Sequence, residues 1–148
     1  MSTWSIFKFG GASVKDPEAL RNAVRTAVAM GCSVNVMRHL IAVAIEAECD
    51  VDVIAEFEAC GYIVPMLTQV RPNGPDRIED LDAAGGVRAV MQRLGDLIDG
   101  SAMSVSGRTV GEVLAETITI DDRVIRTLDN PFANEPGLMV IRGSLAPD

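Results

Sequence analysis

The spacing of apolar residues changes along this chain, and that change limits the folds it can adopt. Up to about Glu116, apolar side chains recur three or four positions apart, which is the spacing of a buried helix face. Beyond it, β-branched and apolar residues alternate or run together, as strands do, in Thr117–Ile120, Arg123–Arg126 and Leu138–Arg142. The sequence therefore predicts an α+β fold, with a helical N-terminal half followed by a strand-rich C-terminal part.

Capping residues and apolar spacing locate the predicted helices. Asp16 can accept hydrogen bonds from the first free amides, and Pro17 suits the first helical position. A second helix, running to about Glu48, is apolar on nearly every face, so we expect it to be buried. Helices are predicted at about 17–30, 36–48, 52–60, 86–98 and 109–116, and a short strand at 5–9.

The segment Val70–Asp76 is the strongest loop signal in the chain, because it combines prolines, a glycine and an asparagine. A length of 148 residues fits one domain that can bury a core. We therefore expect a single domain or an enzyme fragment over residues 1–148, with a possible sub-boundary at 71–76.

Charge and cysteine usage limit the class of function. The net charge of -8 disfavours a nucleic-acid backbone or an anionic membrane as a partner. No apolar run is long enough to span a bilayer, and no signal peptide is evident, so a cytoplasmic protein is expected. Cys32, Cys49 and Cys60 are odd in number and widely spaced, which predicts free, reduced thiols.

Five stretches of the chain together resemble one enzyme family. They read M-G-C-S-V-N at Met30–Asn35, R-I-E-D-L-D-A-A-G-G-V-R-A-V-M at Arg77–Met91, S-V-S-G-R-T at Ser104–Thr109, R-T-L-D-N-P at Arg126–Pro131, and R-G-S-L-A-P-D at Arg142–Asp148. Over about residues 17–148 the chain resembles the dihydroxy-acid and sugar-acid dehydratases. The motifs indicate the C-terminal portion of that family, including the start of its β-barrel domain.

This resemblance implies a hydro-lyase that eliminates water from a 2,3-dihydroxy acid or a sugar acid to give a 2-keto acid. Such enzymes use Mg²⁺ and a 2Fe–2S cluster as Lewis acids, and the family is associated with amino-acid biosynthesis. The family's cluster-binding cysteines lie in motifs upstream of the matched region. We therefore expect no cluster in this chain, and we expect the isolated chain to be inactive.

The resemblance also implies roles for individual residues. Glu79 corresponds to a carboxylate ligand of Mg²⁺, and Ser106 to the serine that takes the α-proton of the substrate. Ser33 and Asn35 would contact the substrate, and a further pair, Arg142 and Ser144, would line the acid pocket. Each position also has a structural alternative, namely helix capping, a turn or an edge-strand charge.

A histidine follows the Ser33–Asn35 stretch by one helical turn. His39 lies on an apolar helix, which favours a hydrogen-bonded core histidine over a general base.

The N-terminus resembles a different family. The stretch I-F-K-F-G-G-A-S-V is similar to the opening of aspartokinases, in which Lys8, Gly10, Gly11 and Ser13 would contact nucleotide phosphates. A strand followed by a glycine loop and a helix start forms a backbone cradle for phosphate. A nucleotide-binding fragment is therefore an alternative function.

A non-catalytic, self-associating domain is the other alternative. Apolar surface that another domain covers in a complete enzyme would be exposed in an isolated piece and would favour association with another apolar surface. Self-association is expected through Val36–Ala47 or Leu138–Ile141.

Overall fold

The computed structural model of the chain describes residues 15–119 and 121–144. The predicted strand at 5–9 and the Lys8–Ser13 loop lie outside these ranges. Within them, the elements are α1 (Pro17–Met30), α2 (Asn35–Glu46), α3 (Val53–Cys60), α4 (Ile78–Ala83), α5 (Gly86–Leu94), a 3-10 turn (Gly95–Leu97) and α6 (Val110–Ala115).

The first helix begins and ends as its sequence predicts. The Asp16 carboxylate accepts a hydrogen bond from a first-turn amide at 2.9 Å. At the other end, Gly31 adopts the left-handed conformation with φ 62. Its amide donates to the Val28 carbonyl, and the Cys32 amide donates to the Ala27 carbonyl, both at 3.1 Å. These two bonds pair carbonyls that a helix end otherwise leaves without partners.

The core is built mainly from aliphatic side chains around α1, which packs against both α3 and α5. Phe57 of α3 is the one aromatic side chain among the described residues that is fully buried. Side chains from both sides of the 71–76 loop enter a single hydrophobic cluster. The largest fully buried apolar residues are Phe57, Leu67, Leu81, Leu94 and Ile125.

A short extended segment, Val64–Thr68, runs against the end of α1. The Leu67 amide donates to the Ala29 carbonyl at 2.7 Å, and the Thr68 hydroxyl donates to the Met30 carbonyl at 3.1 Å. Leu67 and Thr68 are both completely buried. Each of these bonds therefore satisfies a polar group that has no access to water.

The same segment holds the C-terminal part of the chain. The Met66 amide donates to the Ala133 carbonyl at 3.0 Å, and the Phe132 amide donates to the Met66 carbonyl at 2.9 Å. One residue along, the Arg126 amide donates to the Leu67 carbonyl at 2.9 Å. The Arg126 guanidinium also lies over the Phe132 ring, 4.8 Å from its centroid. Both ends of the loop 126–133 are thus attached to the segment Val64–Thr68.

The prediction of a strand-rich C-terminal part is wrong. No regular strand forms among the described residues, and the bridges between two described residues are isolated ones at Met66–Ala133, Val70–Asp76 and Met103–Thr109. The predicted strand at 123–126 is instead a helical turn, because the Val124 and Ile125 amides both donate to the Asp121 carbonyl. Alternation cannot distinguish a strand from an irregular segment that buries every second side chain, because no partner strand is encoded locally. The described part of the chain is therefore helical with extended connections, and it does not form the start of a β-barrel.

The second helix is also not buried as predicted. Ala44 is the one buried residue in α2. Val34, just before the helix, is 58% exposed, and Ile45 is 73% exposed. Apolar residues on all faces of a helix indicate burial only if other elements cover those faces. Here one face of α2 lies against α1 and α3, and the other is open.

Among the described residues, no helix is long and apolar enough to cross a membrane.

Candidate functional site

Three parts of the chain meet at Gly31. The Asn73 side-chain amide donates to the Gly31 carbonyl, and the Gly137 amide donates to the Val28 carbonyl at 3.3 Å. A Cβ atom at Gly137 would lie 2.8 Å from the Gly31 nitrogen and 2.9 Å from the Val28 carbonyl oxygen. Only a residue without a side chain allows this approach. The Met30–Asn35 stretch is therefore held by the 70–76 loop and by the C-terminal segment.

Ser33 and Asn35 lie at the start of α2, and both are exposed. The Ser33 hydroxyl accepts a hydrogen bond from the Asn35 amide at 3.3 Å. This is a local contact just before the helix, whose N-cap residue is Val34 and which has no side-chain cap hydrogen bond. Their substrate contacts stay predictions. His39 is exposed, so the prediction of a core histidine is wrong. It lies on a helix that no other described element covers on its outer face.

Glu79 lies in the first turn of α4 and is exposed. The neighbouring Asp80 carboxylate accepts a hydrogen bond from the Arg77 amide at 2.7 Å and so caps the helix. Within residues 15–119 and 121–144, no three His, Cys, Asp or Glu side chains come close enough together to hold a metal ion. Glu79 therefore offers one carboxylate without further protein ligands around it in the described part of the chain.

The three cysteines are free thiols, of which Cys60 is buried and Cys32 and Cys49 are partly buried. Burial raises the pKa of the Cys32 thiol. Burial also raises the pKa of Cys60, although the nearby Arg25 opposes the shift. Iron–sulfur clusters need thiolates, so these two environments disfavour ligation. Within the described residues, neither the cysteines nor Glu79 completes a site for the metal groups that the resemblance implies.

Ser106 lies in a tight turn that opens onto a cleft. Gly107 follows it with φ 77, a conformation that favours glycine. The Ser104 and Ser106 hydroxyls share a hydrogen bond of 2.7 Å, and the Ser104 amide donates to the Arg108 carbonyl at 2.9 Å. The cleft has a volume of about 380 Å³. Its lining consists of Gly85, Arg88, Ser106, Arg108, Val113, Glu116, Thr117 and Ile118.

A two-pronged ion pair forms one wall of this cleft. The Arg108 guanidinium donates to the two Glu116 carboxylate oxygens at 2.9 and 2.8 Å, and to the Glu112 carbonyl at 3.0 Å. Hydrogen bonding to Arg108 lowers the pKa of Glu116, and the same bond raises the pKa of Arg108. Both groups therefore stay charged at neutral pH. Glu112 itself accepts a hydrogen bond from the Thr109 amide at 2.8 Å, which completes the predicted capping box of α6.

Arg142 and Ser144 lie on the exposed C-terminal segment. The Arg142 guanidinium hydrogen bonds with the Glu58 carboxylate of α3. This ion pair attaches the segment to the helical core, whereas Ser106 lines a cleft next to α5 and α6. An acid-binding role for Arg142 and Ser144 stays a prediction.

Two residues of these sites were not identified from sequence. Arg88 lies within the Arg77–Met91 stretch, but a single arginine on a helix gives no binding signal by itself. Asn73 belongs to the predicted loop, and its bond to Gly31 spans 42 positions. Neither position has a local pattern that would have revealed it.

Comparison with known proteins identifies the family. Residues 8–113 match the dihydroxy-acid/6-phosphogluconate dehydratase N-terminal domain. The chain is 44% identical over 134 residues to the dihydroxy-acid dehydratase of Desulfosudis oleivorans, covering 88% of this chain and 24% of that enzyme. The corresponding enzyme of Methanothrix thermoacetophila is 42% identical over 135 residues, with the same two coverages. The chain therefore belongs to the dihydroxy-acid/6-phosphogluconate dehydratase family.

The match settles two points raised by the sequence motifs. It begins at residue 8 and covers most of the stretch that resembles aspartokinases, and the kinase interpretation gains no support. The matching domain is the family's N-terminal one, whereas the motifs indicated the C-terminal portion. The chain spans about a quarter of the length of the relatives it matches, 24% for the enzyme of Desulfosudis oleivorans.

The contact at Gly137 gives a stability prediction. Replacing Gly137 with Ala forces a methyl group against the backbone of Gly31 and Val28, and such overpacking costs about 1–3 kcal/mol of unfolding free energy. The matched control is Gly143→Ala, where a Cβ atom meets nothing within 4 Å, and which should change stability by less than about 0.5 kcal/mol. Urea unfolding of both variants measures the difference. Equal stability of the two variants would contradict the close contact.

Proposed function

We propose that this chain is part of a hydro-lyase that converts 2,3-dihydroxy acids or sugar acids into 2-keto acids. The relatives named dihydroxy-acid dehydratase support the reaction class, at 44% identity in the first case. The observation that carries the proposal for this chain is the cleft beside Ser106, which contains two arginines in a protein of net charge -8. A cationic cleft in an acidic protein suits an anionic substrate.

In this proposal, Ser106 takes the proton from the carbon next to the carboxylate. The hydroxyl of the adjacent carbon then leaves as water with the proton that Ser106 took, which gives an enol. The enol loses its hydroxyl proton and gains a proton at the carbon that lost its hydroxyl, and so becomes the 2-keto acid. A serine hydroxyl acts as a base only where a nearby cation lowers its pKa. Arg88 is the cation for this role, because it lines the same cleft as Ser106 and Glu116 pairs with Arg108 instead. When bound in the complete enzyme, the metal groups supply Lewis-acid activation.

We further propose that Glu79 contributes one ligand to a metal site whose other ligands come from outside the described residues. An exposed carboxylate with no hydrogen-bond partner among the described residues is open to such a role. Mg²⁺ commonly takes only one or two carboxylates from protein and keeps several waters.

The isolated chain is expected to be inactive. Purified, iron-reconstituted protein is incubated with dihydroxyisovalerate or a five-carbon sugar acid, and formation of 2-keto acid is measured. We expect no turnover above a Glu79→Ala control, because the described residues do not supply a complete metal site. Turnover well above that control would contradict the expectation.

A chimaera tests whether this chain supports dehydratase activity within a complete enzyme. This chain replaces the matching 134 residues of the Desulfosudis oleivorans enzyme, and we expect turnover to be retained. Ser106→Ala should lower kcat by roughly 10²–10⁴-fold, the usual contribution of a catalytic acid or base. Ser101→Ala is the matched control, because Ser101 is exposed and hydrogen bonds only locally to Asp99. Equal activities of the two variants would exclude Ser106 as the base.

We also propose that the chain self-associates through its uncovered apolar surface. On α2, Ile45 is 73% exposed, and on the C-terminal segment Met139 and Ile141 are 50% and 84% exposed. These residues belong to the segments 36–47 and 138–141. Contact with a second copy would remove this surface from water, at roughly 25 cal/mol per Å² of apolar area.

Sedimentation over a tenfold dilution series tests this proposal. We expect the average mass to fall on dilution, and Ile45→Asp to shift the protein toward monomer. The matched control is Ile78→Asp, a similarly exposed isoleucine (61%) on α4, which should leave the distribution unchanged. A strictly monomeric protein at high concentration would contradict the proposal.

A further inference from the structure

The cleft beside Ser106 contains one arginine that forms no hydrogen bond or ion pair within the described part of the chain. Of its three charged side chains, Arg108 and Glu116 neutralise each other through the two-pronged ion pair. Arg88 of α5 makes no hydrogen bond or ion pair with any residue in the described part of the chain, and it is exposed. With two arginines and one glutamate in the lining, the net charge of the cleft is +1.

One wall of the cleft packs tightly where α4 ends and α5 begins. Gly85 adopts φ 122, and a Cβ atom there would lie 2.7 Å from both the Ala89 Cβ and the Ile118 carbonyl oxygen. A side chain at this position would therefore collide with the wall that Ile118 provides. Gln92 of α5 holds the same wall, because its side-chain amide donates to the Leu114 carbonyl at 3.2 Å and to the Thr117 carbonyl at 2.6 Å. Arg88 and the Thr117–Ile118 backbone thus line one cleft whose wall is fixed by hydrogen bonds.

We propose that Arg88 binds the carboxylate of a small hydroxy acid in this cleft. A guanidinium group matches a carboxylate with two parallel hydrogen bonds, which fixes orientation as well as charge. The net charge of +1 in the cleft balances the single negative charge of one carboxylate. A volume of about 380 Å³ lies at the lower end of the range for small-molecule sites, so the ligand is a short acid.

The Ser106 hydroxyl lies in the same lining and can donate to or accept from a ligand hydroxyl. This inference deepens the proposed dehydratase function and rests on it only for the identity of the acid. Arg88 is a positioning residue in this scheme, because it orients the carboxylate and Ser106 acts on the neighbouring carbon.

Titration of the ¹⁵N-labelled 148-residue chain tests the site. The probe is glycerate, the smallest 2,3-dihydroxy acid, followed by the backbone amide shifts of cleft residues such as Gly85 and Thr117 and by the Arg88 Nε resonance. We expect saturable shifts confined to the cleft with glycerate, and none with glycerol, which has hydroxyls but no charge.

Variants assign the binding to one guanidinium. Arg88→Gln should weaken glycerate binding by about tenfold or more, the usual effect of losing a charged hydrogen-bond partner. Arg88→Lys should give intermediate binding, because it keeps the charge and loses the paired geometry. Arg38→Gln on α2 is the control, with the same change of charge at another exposed helical arginine, and should bind as the unmodified chain does.

Three results would overturn the inference: glycerate shifts that Arg88→Gln leaves unchanged, shifts spread outside the cleft, or equal binding of glycerol. The binding readout does not depend on turnover. Binding that depends on Arg88 without activity in the chimaera would reject the dehydratase proposal and keep the acid site. Activity in the chimaera without glycerate binding in the cleft would reject the acid site and keep the dehydratase proposal.

Discussion

The backbone hydrogen bonds of Met66 and of the buried residue Leu67 hold the described parts of this protein together. Leu67 donates to Ala29 at the end of α1, and its carbonyl accepts from Arg126 in the C-terminal part. Met66 exchanges hydrogen bonds with Phe132 and Ala133. Because an unpaired buried backbone group costs about 1–3 kcal/mol, this segment leaves the chain few alternative arrangements. The C-terminal part can therefore lack regular strands and still keep a fixed position against α1.

Both candidate sites depend on backbone that comes close only because glycine is present. At Gly31, the approach of Gly137 brings the C-terminal segment against the loop that leads into α2. At Gly85, the lack of a side chain lets the Ile118 backbone, which lines the cleft, pack close to the start of α5. The two contacts thus fix the positions of two of the family's sequence motifs, Met30–Asn35 and Arg77–Met91, within the fold. They also explain how the described residues form a defined cleft without a regular sheet among them.

Local signals predicted local structure well and long-range structure poorly. Asp16, Gly31 and the Thr109–Glu112 capping box each mark a helix end through contacts within a few residues, and all are confirmed. Whether α2 is covered depends on what packs against it, which its own sequence does not encode, and the same holds for the expected C-terminal strands. In the cleft, Ser106 was identified through a motif, whereas Arg88 became visible only when the fold placed α5 beside it.

Amide hydrogen exchange under native conditions tests the central role of the Met66–Leu67 segment most directly. The account predicts that the amides of Leu67 and Arg126 exchange only through global unfolding, with the same free energy as urea unfolding, because both bonds belong to the segment that joins α1 to the C-terminal part. The Asn130 amide, in an exposed turn of the attached loop, should exchange far faster. Exchange of Leu67 or Arg126 through local opening, at a free energy well below the global value, would contradict this account.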